Sequence, residues 1–177
     1  MPENDNQAVI QDCLQALVGL PLSIVRDVAD MKAFHFGAIR PHRSGEGTTG
    51  SHALHIQCPW RIVNETAVVT GTSDRFTEPD ERAGSADDAP QSGNLQRVRI
   101  AALLKEYDKS TASYVNAAGG LVVVSVSADK YGGADLFLSG GYRLQIFPDG
   151  SREEDWRLLQ VGGKHLVIEG GQATVDE

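Results

Sequence analysis

The sequence predicts an α+β fold: a large, mostly antiparallel, bent sheet that carries two helices, with partial closure into a barrel as its variant. Three observations predict it. Only two stretches, 5–18 and 95–107, repeat apolar residues at helical spacing. From Tyr114 onward, short apolar or alternating runs are separated by Gly-Gly pairs and by Pro148-Asp149-Gly150-Ser151, the mark of an antiparallel meander. Between the two helical stretches lie further runs of strand type. A chain of 177 residues has the size of one domain, 1–177, and buries enough surface to need no metal or disulfide staple.

The elements follow in order. In 5–18, Val9, Ile10, Cys13, Leu14, Leu17 and Val18 form one apolar stripe; Asp5 or a neighbouring Asn caps the start, and Gly19 with Pro21 ends it. Residues 22–28 and 31–39 read as strands, the second with Lys32, Phe34 and Phe36 opposite Met31, Ala33 and His35. Residues 41–50 are a polar loop. Residues 51–57 alternate as a strand, with His52, Leu54 and Ile56 opposite Ala53, His55 and Gln57. Pro59 interrupts this strand, which predicts a bend, and 51–72 is expected to form a bent hairpin. Residues 77–93 are rich in Asp, Glu, Gly, Ser and Pro and lack any period, so a mobile acidic loop is expected there. In 95–107 the expected stripe is Leu95, Val98, Ala102 and Leu103. Five strands then occupy the stretch from 121 to 169, and the tail 170–177 is expected to fray.

A net charge of −8 argues against a nucleic-acid-coating surface or an anionic-membrane binder, since both need clustered Lys and Arg. Two cysteines, Cys13 and Cys58, are too few for a secreted disulfide scaffold and fit buried thiols in a reducing compartment. Residues 1–7 have neither the basic nor the apolar region of a signal peptide, and no apolar run is long enough to span a bilayer. A cytoplasmic location is the expectation.

The chemically richest stretch is 51–62, Ser-His-Ala-Leu-His-Ile-Gln-Cys-Pro-Trp-Arg-Ile. The second Trp of the chain is also followed by Arg, in Asp155-Trp156-Arg157-Leu158-Leu159. The segments 53–62 and 144–148 together with 155–159 are similar to a bacterial family of small uncharacterised proteins with an LHIQCPWRI strand and a late WRL strand. The resemblance covers about residues 33–74 and 114–169. It implies no activity, cofactor or catalytic residue; some families of this kind are suspected immunity proteins of toxin systems.

Read for chemistry, this stretch does not make a metal site. A spacing of three puts His52 and His55 on opposite faces of a strand, while His52 and Cys58 share a face but lie about 20 Å apart at a rise of ~3.3 Å per residue. Cys58 with His55 or His165 is a poor nucleophile pair, because no helix N-terminus or cation is expected to activate the thiol. No cofactor motif is present. In the Trp-Arg pairs, each Trp turns to the core and each Arg to the other face. There the Arg either pairs with a carboxylate such as Asp74, Glu153, Glu154 or Asp155, or forms a binding site.

Two functions follow as expectations. The first is a non-enzymatic protein that binds another protein, with toxin neutralisation as its specific form. A basic toxin would then meet Asp80, Glu81, Asp87, Asp88 and 153–155, and a second copy of the chain is the other candidate partner. The second is a small-molecule or enzymatic pocket near His35, His55, Trp60 and Arg61. The candidate binding residues are Arg61, Arg157, His55, Trp60, His35 and Asp74; no catalytic residue, metal ligand or cofactor is assigned.

Overall fold

The structure is a computed structural model that describes residues 5–79 and 93–176. The acidic loop expected at 77–93 therefore lies, for residues 80–92, outside the described residues, and Asp80, Glu81, Asp87 and Asp88 with it.

Helix α1 is Asn6–Leu14, and the Asp5 side chain caps it by accepting from the Ala8 amide at 3.3 Å. It tightens into a 3₁₀ turn at Gln15–Leu17 and ends where Gly19 takes a φ of +86°. Seven strands follow: β1 Leu22–Val28, β2 Met31–Phe36, β3 Arg40–Pro41, β4 Thr48–Thr49, β5 His52–Ile56, β6 Trp60–Val63 and β7 Val68–Gly71. Helix α2, Leu95–Leu104, is capped by Asn94. Eight more strands complete the chain: β8 Glu106–Asp108, β9 Ser113–Val115, β10 Val123–Ala128, β11 Ala134–Leu138, β12 Tyr142–Ile146, β13 Glu154–Gln160, β14 His165–Glu169 and β15 Gln172–Asp176.

The fold is α+β with a large antiparallel sheet, as the sequence predicts. The expected bend is realised as a division into two main sheets. Eight strands run in the order β15-β14-β13-β5-β2-β1-β9-β8 and five in the order β10-β11-β12-β6-β7, while β3 and β4 pair separately. Among the described residues neither main sheet closes into a barrel. Residues 51–72 do not form one hairpin: β5 pairs with β2 and β13 in the large sheet, and β6 pairs with β7 and β12 in the small one. The tail expected to fray instead forms β15 along β14, where the Ala173 amide donates to Asn6.

The apolar faces of the two sheets meet in one core. Trp60 of the small sheet packs edge-on against Phe34 of the large sheet, with ring centroids 5.1 Å apart. Trp156 is fully buried, and its indole N–H donates to the Gly132 carbonyl at 2.8 Å. Gly132 is required there, because at φ +87° a Cβ would lie 2.8 Å from Ile168 Cγ2 and 2.9 Å from Gly171 Cα.

Each helix closes one open side of the sandwich, and each does so with glutamine. On one side, Gln7 and Gln11 of α1 donate to the Ala128 and Val126 carbonyls of edge strand β10, and Gln11 accepts from the Ala128 amide. Asn6 reaches across to the Gly171 carbonyl beside β15. On the other side, buried Gln96 of α2 donates to the Gly71 carbonyl of edge strand β7 at 2.9 Å. These side chains satisfy edge groups that would otherwise be open to pairing. They also explain why the buried stripe of α2 is Gln96, Ile100, Ala101 and Leu104, whereas Ala102 of the expected stripe is exposed. The helix stops before 105 because Lys105 takes a φ of +69°, and Glu106–Asp108 then pairs with β9.

Candidate functional site

The two main sheets are joined at Pro59. The Gln57 and Cys58 amides donate to the Asp155 carbonyl, which ends the pairing with β13. Proline has no N–H to continue the ladder, so the chain leaves the large sheet here. The Pro59 carbonyl then accepts from the Phe147 amide at 2.8 Å and begins the pairing with β12. Alternation through β6 sends Trp60 and Ile62 into the core and Arg61 outward.

Arg61 is exposed on the solvent side of the small sheet. Its Nε donates to Gln145 Oε1 at 2.7 Å, and its guanidinium lies 5.1 Å from the centre of the Phe147 ring. The same face holds Arg143, 4.8 Å over Phe137 and paired with Asp135 at 2.7 Å. Cross-strand register places Gln145 between Asp135 and Arg61, and Arg143 between Phe137 and Val63. Among the described residues no carboxylate forms an ion pair with Arg61. Asp74, a candidate partner, accepts instead from Thr70 Oγ1 at 3.0 Å.

Arg157 lies on the other sheet. It makes a two-pronged pair with Glu154 at 2.6 and 2.5 Å and keeps 38% of its side chain exposed. The two Trp-Arg arginines therefore share no surface. His55 faces Arg157 across the strands on the outer side of the large sheet. His35 is on that side too, its ring 6.4 Å from that of His55. Residues 37–50 strap this region: Arg26 donates to the Thr48 carbonyl, His35 Nδ1 contacts Thr49 Oγ1 at 3.1 Å, and the Gly50 amide donates to the same nitrogen at 3.4 Å. Burial, then the charges of Arg26, His55 and His42, pushes His35 down to a pKa of about 3. Burial and Arg157 also lower His55.

The candidate residues thus do not converge. Trp60 is core, Arg61 faces solvent from the small sheet, and His35, His55 and Arg157 occupy the outer side of the large sheet. The acidic group expected at 153–155 is largely consumed within the fold: Glu154 holds Arg157, and Asp155 is buried and accepts from the Gly171 amide at 3.0 Å. Cys58 is buried, and burial with nearby Asp155 pushes its thiol up to about 12, which favours the neutral thiol. Among the described residues no group of three His, Cys, Asp or Glu side chains could hold a metal ion, and no helix is long and apolar enough to cross a membrane.

One feature lay outside the sequence reading. A cavity of about 220 Å³ opens between α1 and the large sheet, with His52, Leu158 and Leu166 deep in it and Asp12, Gln160 and Lys164 at its exposed rim. Alternation put His52 on one face of β5 with Leu54 and Ile56, but nothing in the sequence showed that this face is the buried one or that α1 would leave space above it.

The chain matches no protein-family model, no curated protein and no solved structure.

Proposed function

We propose that the protein binds another protein through the solvent side of its five-stranded sheet, with Arg61 at the centre of contact. The observation that carries this reading is the state of Arg61: exposed, held by Gln145 and Phe147, and without an ion-pair partner among the described residues. Arg and aromatic residues are the types enriched in protein interfaces. A guanidinium already fixed by a hydrogen bond and a ring loses little freedom when it docks. Phe147 and Val68, 41% and 55% exposed, extend the face with apolar area.

The partner that fits is basic over its surface and presents a carboxylate to Arg61. The net charge of −8 steers a basic protein at long range. At contact, the two-pronged geometry of Arg selects a carboxylate. Neutralisation of a basic toxin is a role of this kind, and it fits the resemblance of 53–62, 144–148 and 155–159 to an uncharacterised bacterial family of a kind in which some members are suspected immunity proteins.

The test is selection of displayed peptides on the intact protein, with counter-selection on Arg61→Glu. Peptides carrying Asp or Glu among basic and aromatic residues should emerge, bind more weakly as salt rises, and lose binding to the variant. Failure to recover any peptide that distinguishes the two proteins would sink the proposal. A concentration-dependent dimer that dissociates in Arg61→Glu would assign the face to a second copy and overturn the basic-partner reading.

A further inference from the structure

The outer side of the large sheet carries a row of basic side chains. Cross-strand register sets Arg26 of β1, Ala33 of β2, His55 of β5 and Arg157 of β13 side by side on four adjacent strands. Residues paired in this way share a face of the sheet. The next row along the strands, Val25, Phe34, Leu54 and Leu158, belongs to the core, so the row with Arg26 faces away from it. Between Arg26 and His55 stands only the methyl group of Ala33. Arg26 and His55 are partly exposed, as is Arg157, so solvent reaches all three. Among the described residues no carboxylate forms an ion pair with Arg26 or His55. Arg157 uses Nε and Nη2 for Glu154, and its Nη1 makes no hydrogen bond among the described residues.

The charges that act on this row are mostly positive. The strap at 37–50, tied down to Arg26 and His35, brings Arg40, His42 and Arg43 against one carboxylate, Glu46. Arg26, His55 and His42 all act on His35 in the same sense as burial. On His55, Arg157 and Arg26 oppose Glu154, and on Arg26 the opposing carboxylate is Asp108. In a chain of net charge −8 this is a local reversal of sign. A divalent anion gains twice what a carboxylate gains in such a field, and Arg is the cation whose fork matches phosphate oxygens.

We propose that this row binds a phosphate group in its divalent form, with His55 at the centre and Arg26 and Arg157 on either side. The group arrives from solvent, accepts from the two guanidinium groups, and draws a proton onto His55, whose imidazolium then donates to it. The site lies on the large sheet and is independent of the Arg61 face on the small one.

The test follows the histidine rings of the intact, ¹³C-labelled protein by NMR through a pH titration. Sulfate serves as the probe, a tetrahedral anion that stays divalent throughout. It should raise the pKa of His55 saturably, by about one unit, which is roughly tenfold tighter binding to the charged ring. Inorganic phosphate at about pH 8, where it is divalent, should shift the same ring. Arg157→Gln, at a partly exposed strand position, removes one cation and leaves Glu154 facing His55; its His55 should start from a higher pKa and no longer respond to sulfate. An equal response to chloride at matched ionic strength, or one of the same size at exposed His165, would reduce the effect to screening and overturn the site. A response that survives in Arg157→Gln would overturn the role of the row, and silence toward phosphate where sulfate binds would overturn the choice of ligand.

Discussion

Phe34 and Trp60 meet edge to face across the two sheets, with ring centroids 5.1 Å apart and planes at 82°. The contact sits one residue beyond the proline at which the chain changes sheets, so it locks the crossover to the core of the sheet just left. Trp60→Ala should cost about 3–5 kcal/mol, since it removes a large buried ring and leaves a cavity the crossover cannot collapse into. Urea unfolding followed by circular dichroism measures this. A cost below about 1 kcal/mol would mean the sheets are held together elsewhere.

Gln96 should matter more than its polarity suggests. Gln96→Ala leaves the Gly71 carbonyl of β7 without its donor and is expected to cost about 1–3 kcal/mol. The equivalent change at Gln11 uncovers two groups of edge strand β10. Light scattering should then show self-association of Gln11→Ala that wild type lacks, because an uncovered edge pairs with other edges. A monomeric Gln11→Ala protein of unchanged stability would refute the edge-covering role.

Asp27 joins three elements: it accepts from Lys32 of β2 at 2.7 Å and from Arg97 of α2 at 3.0 Å. Burial alone would raise its carboxyl, but Lys32 and Arg97 together hold it below the usual range. Lys32 is only 5% exposed, and burial lowers its pKa in spite of Asp27. Asp27→Asn strands that ammonium and should cost about 3 kcal/mol, whereas Lys32→Met, which removes the buried charge, should cost far less. Denaturation curves of the two variants decide it; equal losses would show that the ion pair itself, and not the stranded charge, sets the cost.

Stability should fall with acid below neutrality. His35 has a folded pKa of about 3 against an ordinary value of 6.5, so the unfolded chain takes up its proton first. The contribution of neutral His35 is complete above pH ~6.5 and declines at about 1.4 kcal/mol per pH unit from there toward pH ~3. The lowered His52 and His55 act in the same direction. His35→Gln should flatten this slope between pH 6 and pH 4; an unchanged slope would remove His35 as its cause.

Much of the architecture was legible in local chemistry. Alternation gave the two faces of β2, β5 and β6 and turned Trp60 inward and Arg61 outward, but left open which face of β5 is buried. Pro59 announced an interruption, but sequence alone cannot say whether a bent strand stays in its sheet or enters another; that depends on β12, some eighty residues later, supplying the Phe147 amide. The stripe of α2 was misplaced because Gln96, a polar residue left out of the apolar pattern, is buried to serve the edge of β7. The candidate site was legible residue by residue and illegible as an assembly. Nothing local distinguishes an Arg that finds Glu154 three positions away from one that finds only Gln145 and Phe147.

The bridge between Asn6 and the strand Gln172–Asp176 has a consequence for the order of folding. Asn6 of α1 and the groups it meets, the Gly171 carbonyl and the Ala173 amide, stand 165 and 167 residues apart in the chain. A nine-residue helix is too short to persist alone in water. The side of the sandwich that α1 closes therefore rests on the fold's longest-range contacts and is expected to seal late in folding, after the sheets have paired.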